Sequence, residues 1–274
     1  MIYTISNIFL YFILIFALSK SKGTILMRNQ KSIKKVIQIT LVIFLVCGLN
    51  AITYAQTYTG NLGVTNNGFS IIPTFSFNSP AITTQMSWKK NNLSVEPDIR
   101  LAPDLTKGTM LLWFRYMPIQ KGKFSLRTGI HPAVNWFPKD IVENGKQSEL
   151  FQLRRFLAWE LAPNFKINKN LNVGVYYLQG NGLQENGVRT SHFVNLYLGL
   201  SNIALNDQLN LSLTPAVYYL NVDKKAGTYF TANGSISHKK SPFSLQSTIN
   251  KTLETKITGG KDFLWNIALV YKIK

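Results

Sequence analysis

From Phe124 to Trp136 the chain reads Phe-Ser-Leu-Arg-Thr-Gly-Ile-His-Pro-Ala-Val-Asn-Trp, and its residues alternate in character. Phe124, Leu126, Thr128, Ile130, Pro132, Val134 and Trp136 make one face, mostly apolar. Ser125, Arg127, Gly129, His131, Ala133 and Asn135 make the other, polar or small. A period of two is the signature of a β-strand, whose successive side chains point to opposite sides. A strand this long, greasy on one side and carrying Arg and His on the other, suits a wall with lipid outside and water inside.

Although 46% of the residues are hydrophobic, the mean hydropathy is close to zero, so the apolar residues are dispersed rather than gathered into membrane helices. The N-terminus departs from this. Met27-Arg-Asn-Gln-Lys-Ser-Ile-Lys-Lys is a basic opening, Val36 to Leu49 an apolar run, and Thr53-Tyr-Ala55 a compact cleavage site before Gln56. Residues 27–55 therefore read as a secretory signal peptide. Before it, 1–26 contains a second apolar run, Ile8 to Leu18, closed by Lys20 and Lys22. One account places the true start of translation at Met27, with 1–26 a mis-assigned start. The other is an inner-membrane anchor, for which the run is short against the roughly 18 residues of a spanning segment.

The single cysteine, Cys47, lies inside that signal. Val46 before it is β-branched where a lipoprotein signal wants a small residue, so lipidation is disfavoured. The part from Gln56 onward then holds no cysteine, which excludes disulfides, thiolate metal sites and cysteine-based catalysis there. The net charge is +18, from 30 Lys and Arg against 12 Asp and Glu; six of the basic residues precede Gln56, leaving +12 on 56–274. Such a balance raises the question of nucleic acid. Its distribution answers against it: the lysines sit between the alternating stretches, at Lys89-Lys90, Lys121, Lys123, Lys169, Lys224-Lys225 and Lys239-Lys240, which would place them at the rims of a barrel, near lipid phosphates.

Twelve alternating segments are expected: 69–78, 82–90, 93–101, 109–118, 124–136, 149–167, 171–179, 191–203, 209–222, 228–239, 243–253 and 263–273. Their odd-numbered connections run up to about 11 residues and the even-numbered ones to about five, the asymmetry of bacterial outer-membrane barrels with long extracellular loops. The predicted fold is an all-β, transmembrane, antiparallel up-and-down β-barrel of about twelve strands over 56–274. A soluble barrel also alternates, but its second face is richly charged. Here that face is mainly Ser, Thr, Asn, Gln, Gly, Ala and Tyr, while Trp88, Tyr116, Trp136, Tyr219 and Trp265 sit near the ends of apolar faces, as interfacial aromatics do.

The signal ending Tyr-Ala-Gln, the run Leu161-Ala-Pro-Asn-Phe-Lys-Ile-Asn-Lys-Asn-Leu-Asn-Val-Gly-Val-Tyr-Tyr-Leu and the last strand Trp265-Asn-Ile-Ala-Leu-Val-Tyr-Lys-Ile-Lys resemble small uncharacterised outer-membrane β-barrel proteins of Bacteroidota. The resemblance is one of style over 56–274 rather than a specific motif. It implies export to the outer membrane of a Gram-negative bacterium, with outer-membrane lipid, lipopolysaccharide and the barrel-insertion machinery as partners. Many such chains end in an aromatic; this one ends in Lys274, so Tyr271 or Ile273 would have to be read instead.

The inward-facing charges expected from the alternation are Glu96, Asp98, Arg100, Arg115, Arg127, Arg154 and Glu160, joined by His131. They admit two readings: a narrow path for small polar or anionic solutes, or a lumenal network in which acids neutralise arginines and stiffen the barrel. A lipid hydrolase is a third possibility, needing a histidine beside a serine on one strand face. The histidines read His131-Pro-Ala, His192-Phe-Val and His238-Lys-Lys, and although Ser191 and Ser237 precede two of them, adjacent strand residues face opposite ways. No catalytic residue, metal site or cofactor is therefore assigned. Asp140 and Glu143 are too sparse to argue for calcium, and no phosphate-binding glycine loop or dinucleotide fingerprint occurs. The expectation is a narrow pore or passive transporter, the alternatives being a plugged barrel whose loops 138–148 and 180–190 contact partners, or a lipid hydrolase. Oligomeric state stays open.

Overall fold

The computed structural model describes residues 25–27, 57–143, 146–184 and 187–273, with side chains described for 57–140, 151–184 and 187–273. Twelve antiparallel strands make the barrel: β1 (Thr57–Thr65), β2 (Ala81–Lys90), β3 (Leu93–Leu101), β4 (Gly108–Lys121), β5 (Phe124–Glu143), β6 (Lys146–Lys166), β7 (Leu171–Gly182), β8 (Thr190–Ala204), β9 (Leu209–Val222), β10 (Lys225–His238), β11 (Phe243–Thr255) and β12 (Phe263–Ile273). Each strand pairs with its sequence neighbours. The ring closes where β12 meets β1, from Ala268 opposite Thr65 to Ile273 opposite Gly60. Closure satisfies the backbone of every strand within the wall, the condition for a sheet to exist in lipid. The expected leader, signal peptide and Cys47 lie outside the described residues, except that Ile25–Met27 pairs antiparallel with Phe151–Leu153 beside β6.

The outer surface is apolar. Leu62, Val64, Leu93, Ile130, Leu157, Leu196, Leu213, Val217, Ile249, Ile267 and Leu269 are exposed in the isolated chain, and they occupy positions that alternate with buried or polar ones. Water would make that surface costly, at about 25 cal/mol per Å2 of apolar area; a bilayer makes it the contact surface. Tyr116, Tyr219 and Trp265 are exposed on this face. Trp88 and Trp136 are shielded instead: Trp88 stacks against Tyr58 with ring centroids 6.5 Å apart, and Trp136 packs with Met110, Leu112, Val134 and Phe151 while its indole nitrogen donates to the Leu105 carbonyl at 3.0 Å.

Short turns 91–92, 122–123, 167–170, 205–208 and 239–242 lie at one end of the barrel, the same end as Thr57 and Ile273. Asn91, Gly122 and Asp223 take the positive φ that tight hairpins demand. The other end carries 66–80, 102–107, 183–189 and 256–262 as its longer connections. Of the expected long loops there, 138–148 proves largely strand: β5 and β6 stay paired as a ribbon from Pro138 opposite Phe151 to Glu143 opposite Lys146.

The expected first strand, 69–78, is a correction. β1 runs instead over Thr57–Thr65, where Gly60 and Gly63 dilute the alternation that would have marked it. Residues 69–78 form no strand and contain a single 3-10 turn, Pro73–Phe75. Pro73 lacks the N–H a ladder needs, and Ile71 and Ile72 are both apolar, which gives a strand no polar side at that point. The segment closes on itself as a compact loop: Gly68 N–H donates to Ser79 O and Phe77 N–H to Gly68 O, both at 2.9 Å.

Candidate functional site

That loop folds into the barrel. Ile71 and Ile72 pack in one cluster with Leu111, Trp113, Ala133, Ala158, Leu178, Phe193, Tyr218, Leu220 and Tyr229, all contributed by the inward faces of strands β4 to β10. Thr74 and Tyr218 share a hydroxyl hydrogen bond of 2.8 Å, and Lys107 Nζ donates to the Phe77 carbonyl at 3.3 Å. Residues 66–80 therefore act as a plug, with Ile71 lining three cavities around it, of about 450, 480 and 320 Å3.

The inward wall has two chemically distinct halves. On β7 to β10 aromatic rings follow one another, Tyr176 to Phe193 at 6.0 Å, Phe193 to Tyr218 at 5.0 Å and Tyr218 to Tyr229 at 4.8 Å. Tyr218 donates its hydroxyl to Asn250 Oδ1 at 2.7 Å. On β2 to β6 the wall is charged, and its centre is Glu160, which is wholly buried.

Arg115 grips the Glu160 carboxylate with two nitrogens, Nε at 2.8 Å and Nη2 at 3.0 Å, the fork geometry in which guanidinium and carboxylate match best. Arg127 Nε adds a third bond at 2.8 Å and the Tyr176 hydroxyl a fourth at 2.9 Å. Arg115 also pairs with Glu96 through Nη1, lies over the Trp113 ring at 4.1 Å, and so ties β3, β4 and β6 together. Ser94 Oγ donates to the remaining oxygen of Glu96 at 2.7 Å. Two arginines thus meet two glutamates, and the cluster carries no surplus charge with which to select an ion.

Gly129 makes this reach possible. It stands between Arg115 on β4 and Glu160 on β6 in the ladder, and a Cβ there would approach Arg115 Cγ and the Phe114 carbonyl to 2.9 Å. Gly129→Val is accordingly expected to push Arg115 off Glu160 and lower stability by about 2–4 kcal/mol, overpacking and a broken buried pair together. The midpoint of urea unfolding, followed by the gel-mobility shift of the folded barrel, measures it; an unchanged midpoint rules the account out.

The remaining charges named from the sequence lie apart from this cluster. Asp98 and Arg100 pair at 2.6 Å, with Gln85 Nε2 donating to the same Asp98 oxygen at 3.0 Å. Arg154, nearer the end with the longer connections, donates to Gln152 at 3.3 Å and lies 4.7 Å over the Phe137 ring. His131 is buried against Trp113, ring centroids 4.0 Å apart. His192 faces the other way and meets the Tyr177 hydroxyl at 2.9 Å; His238 meets Gln208 at the short-turn end. Among the described residues, none of the three histidines is hydrogen-bonded to a serine hydroxyl, and no group of three His, Cys, Asp or Glu is gathered as a metal would need.

Sequence reasoning missed Trp113, Leu111 and Tyr176 as lumen residues; it held a plugged lumen as an alternative but read the plugging segment, 69–78, as a strand. The available signal was local: large apolar or aromatic side chains on faces otherwise polar or small, on strands facing each other across the lumen.

The class defined by this geometry is a closed, twelve-stranded transmembrane β-barrel with an occupied lumen. No protein-family model matches the sequence, and no curated protein matches it. Among solved structures the chain is similar to LpxR from Salmonella typhimurium, at 12% identity and a TM-score of 0.46, covering 78% of this chain and 99% of that one. It is similar also to the NanC porin, at 11% and 0.43 over 79% and 98%. A third is the beta domain of the Bordetella autotransporter BrkA, at 13% and 0.41 over 78% and 97%.

Proposed function

We propose that this protein is an outer-membrane barrel of a Gram-negative bacterium that works as a plugged, narrow passive transporter for small solutes, closed at rest by residues 66–80. The observation that carries this reading is the plug itself: an apolar loop packed into the lumen, with cavities of several hundred Å3 around it. Twelve strands enclose more room than side chains alone fill, as eight do, and less than the open channel of sixteen; here a loop takes up the difference. The exposed apolar belt supports the membrane setting, with outer-membrane lipid, lipopolysaccharide and the insertion machinery as partners.

A second reading is a structural or interaction barrel that never opens, and the charge-neutral cluster around Glu160 favours it. Recordings in a planar bilayer test the resting state: protein purified from membranes of cells expressing the full chain is expected to insert with long silent periods and brief, small openings. Steady open-channel current of the unmodified protein counts against a plugged state in both readings.

A further inference from the structure

The cavity beside the plug at the end with the longer connections, about 450 Å3, lies within the roughly 300–1,000 Å3 range of small-molecule sites. Phe75 from the plug and Phe137 and Phe156 from β5 and β6 are among the residues that line it, with His131, Asn135 and Arg154 on the same wall. Among the described residues no acidic side chain lines it. His131 is more than nine-tenths buried. On the same wall Asn135 Oδ1 and Arg154 Nε are buried without a hydrogen-bond partner.

Buried polar atoms in folded proteins are nearly always satisfied. Arg154 Nε is a buried donor with no acceptor, on the wall of a cavity lined otherwise by aromatic, aliphatic and small polar residues and Lys107, and it marks the side on which the acceptor end of a guest belongs. Arg154, held over Phe137, and Lys107 set the sign of that end as negative, since a guanidinium bonds carboxylates with charge assistance. The aromatic walls set the rest as apolar. We infer that this cavity binds a small amphiphilic carboxylate arriving from the aqueous side, its carboxylate accepting from Arg154 and Lys107 and its apolar body against Phe75, Phe137 and Phe156. The inference rests on the plugged-transporter reading and supplies its solute class.

Octanoate is the probe, titrated calorimetrically into the full protein held in zwitterionic lipid nanodiscs, with empty discs as the blank and octanol as the neutral analogue. Saturable binding of octanoate beyond the blank is expected, together with at least about a tenfold weakening in Arg154→Gln, the worth of one charge-assisted bond. Octanol is expected to bind weakly and equally to both. Should Arg154→Gln fail the gel-mobility check for a folded barrel, Lys107→Gln, a change at a half-buried loop residue, carries the same comparison with a several-fold loss. Octanoate uptake no greater than the blank, affinity unchanged in a folded variant, or octanol bound as tightly as octanoate each overturns the inference. Opening of the barrel by plug removal is read by conductance without ligand, so that reading and this one fail separately.

Discussion

Replacing residues 69–76 by two glycines is expected to turn a barrel that conducts only in brief, small openings in a planar bilayer into one with steady conductance, a rise of about tenfold or more in mean current, because a twelve-stranded wall without its filling encloses a water path. The replacement is geometrically mild: Gly68 is already hydrogen-bonded to Phe77 and Ser79, so the two stems lie side by side and need only a tight link. What is removed is the packing of Ile71 and Ile72 against Trp113, Phe193 and Tyr218 and the bond from Thr74 to Tyr218. Ile72 is buried and Ile71 partly buried, worth about 2–4 kcal/mol together, so the variant is expected to unfold at lower urea. The wall itself stays closed, since its strand pairing does not pass through the loop. Folded variant protein that remains as silent as the parent removes the transporter reading and leaves the structural one.

Replacing Glu160 by leucine is the most damaging single side-chain change expected within the barrel. Four hydrogen bonds from three side chains end on its carboxylate; without it Arg127 loses this ion pair and Arg115 keeps only Glu96. Breaking a buried pair from one side costs about 3–5 kcal/mol because a desolvated charge is left uncompensated. Arg127→Leu costs far less, about 1 kcal/mol or under, since its side chain is 38% exposed and the Glu160 Oε1 it leaves still accepts from Arg115 Nε. The double variant Arg115→Met, Glu160→Leu is expected to recover much of the loss by removing both charges. Unfolding midpoints read by gel mobility rank the three. Equal midpoints for Glu160→Leu and Arg127→Leu dismiss Glu160 as the centre of the cluster.

Much of the fold was legible before any coordinates, and the reason is that strand periodicity is a local property. Leu93–Leu101 alternates without interruption, and Phe263–Ile273 keeps Phe263, Trp265, Ile267, Leu269 and Tyr271 on one side; each such stretch declares its own conformation and its own two faces. The same logic failed at 69–78, where alternating Phe69, Ile71, Phe75 and Phe77 imitate a strand while Pro73 and the adjacent pair Ile71-Ile72 refuse one. It failed again at Thr57–Thr65, where two glycines leave gaps in the pattern that the cross-strand partners of β2 and β12 supply.

The site was legible in part only. That Glu96, Arg115, Arg127 and Glu160 share the inward face follows from their positions along each strand; that all four meet does not, because it depends on register between strands and on Gly129 leaving a passage for Arg115. Trp136 shows the reverse limit, an aromatic at an outward position that packing buries rather than exposes.

The sequence by itself determined the class of protein, an antiparallel wall of about twelve strands with eleven of them correctly placed, and the lipid-facing chemistry of its outer surface, because a period of two and the need to satisfy every backbone group in a bilayer leave little else. Only the tertiary structure decided what fills the lumen. Whether an apolar loop lies outside in lipid or turns inward is settled by partners from distant strands, Trp113, Phe193 and Tyr218, that stand together only once the barrel has closed.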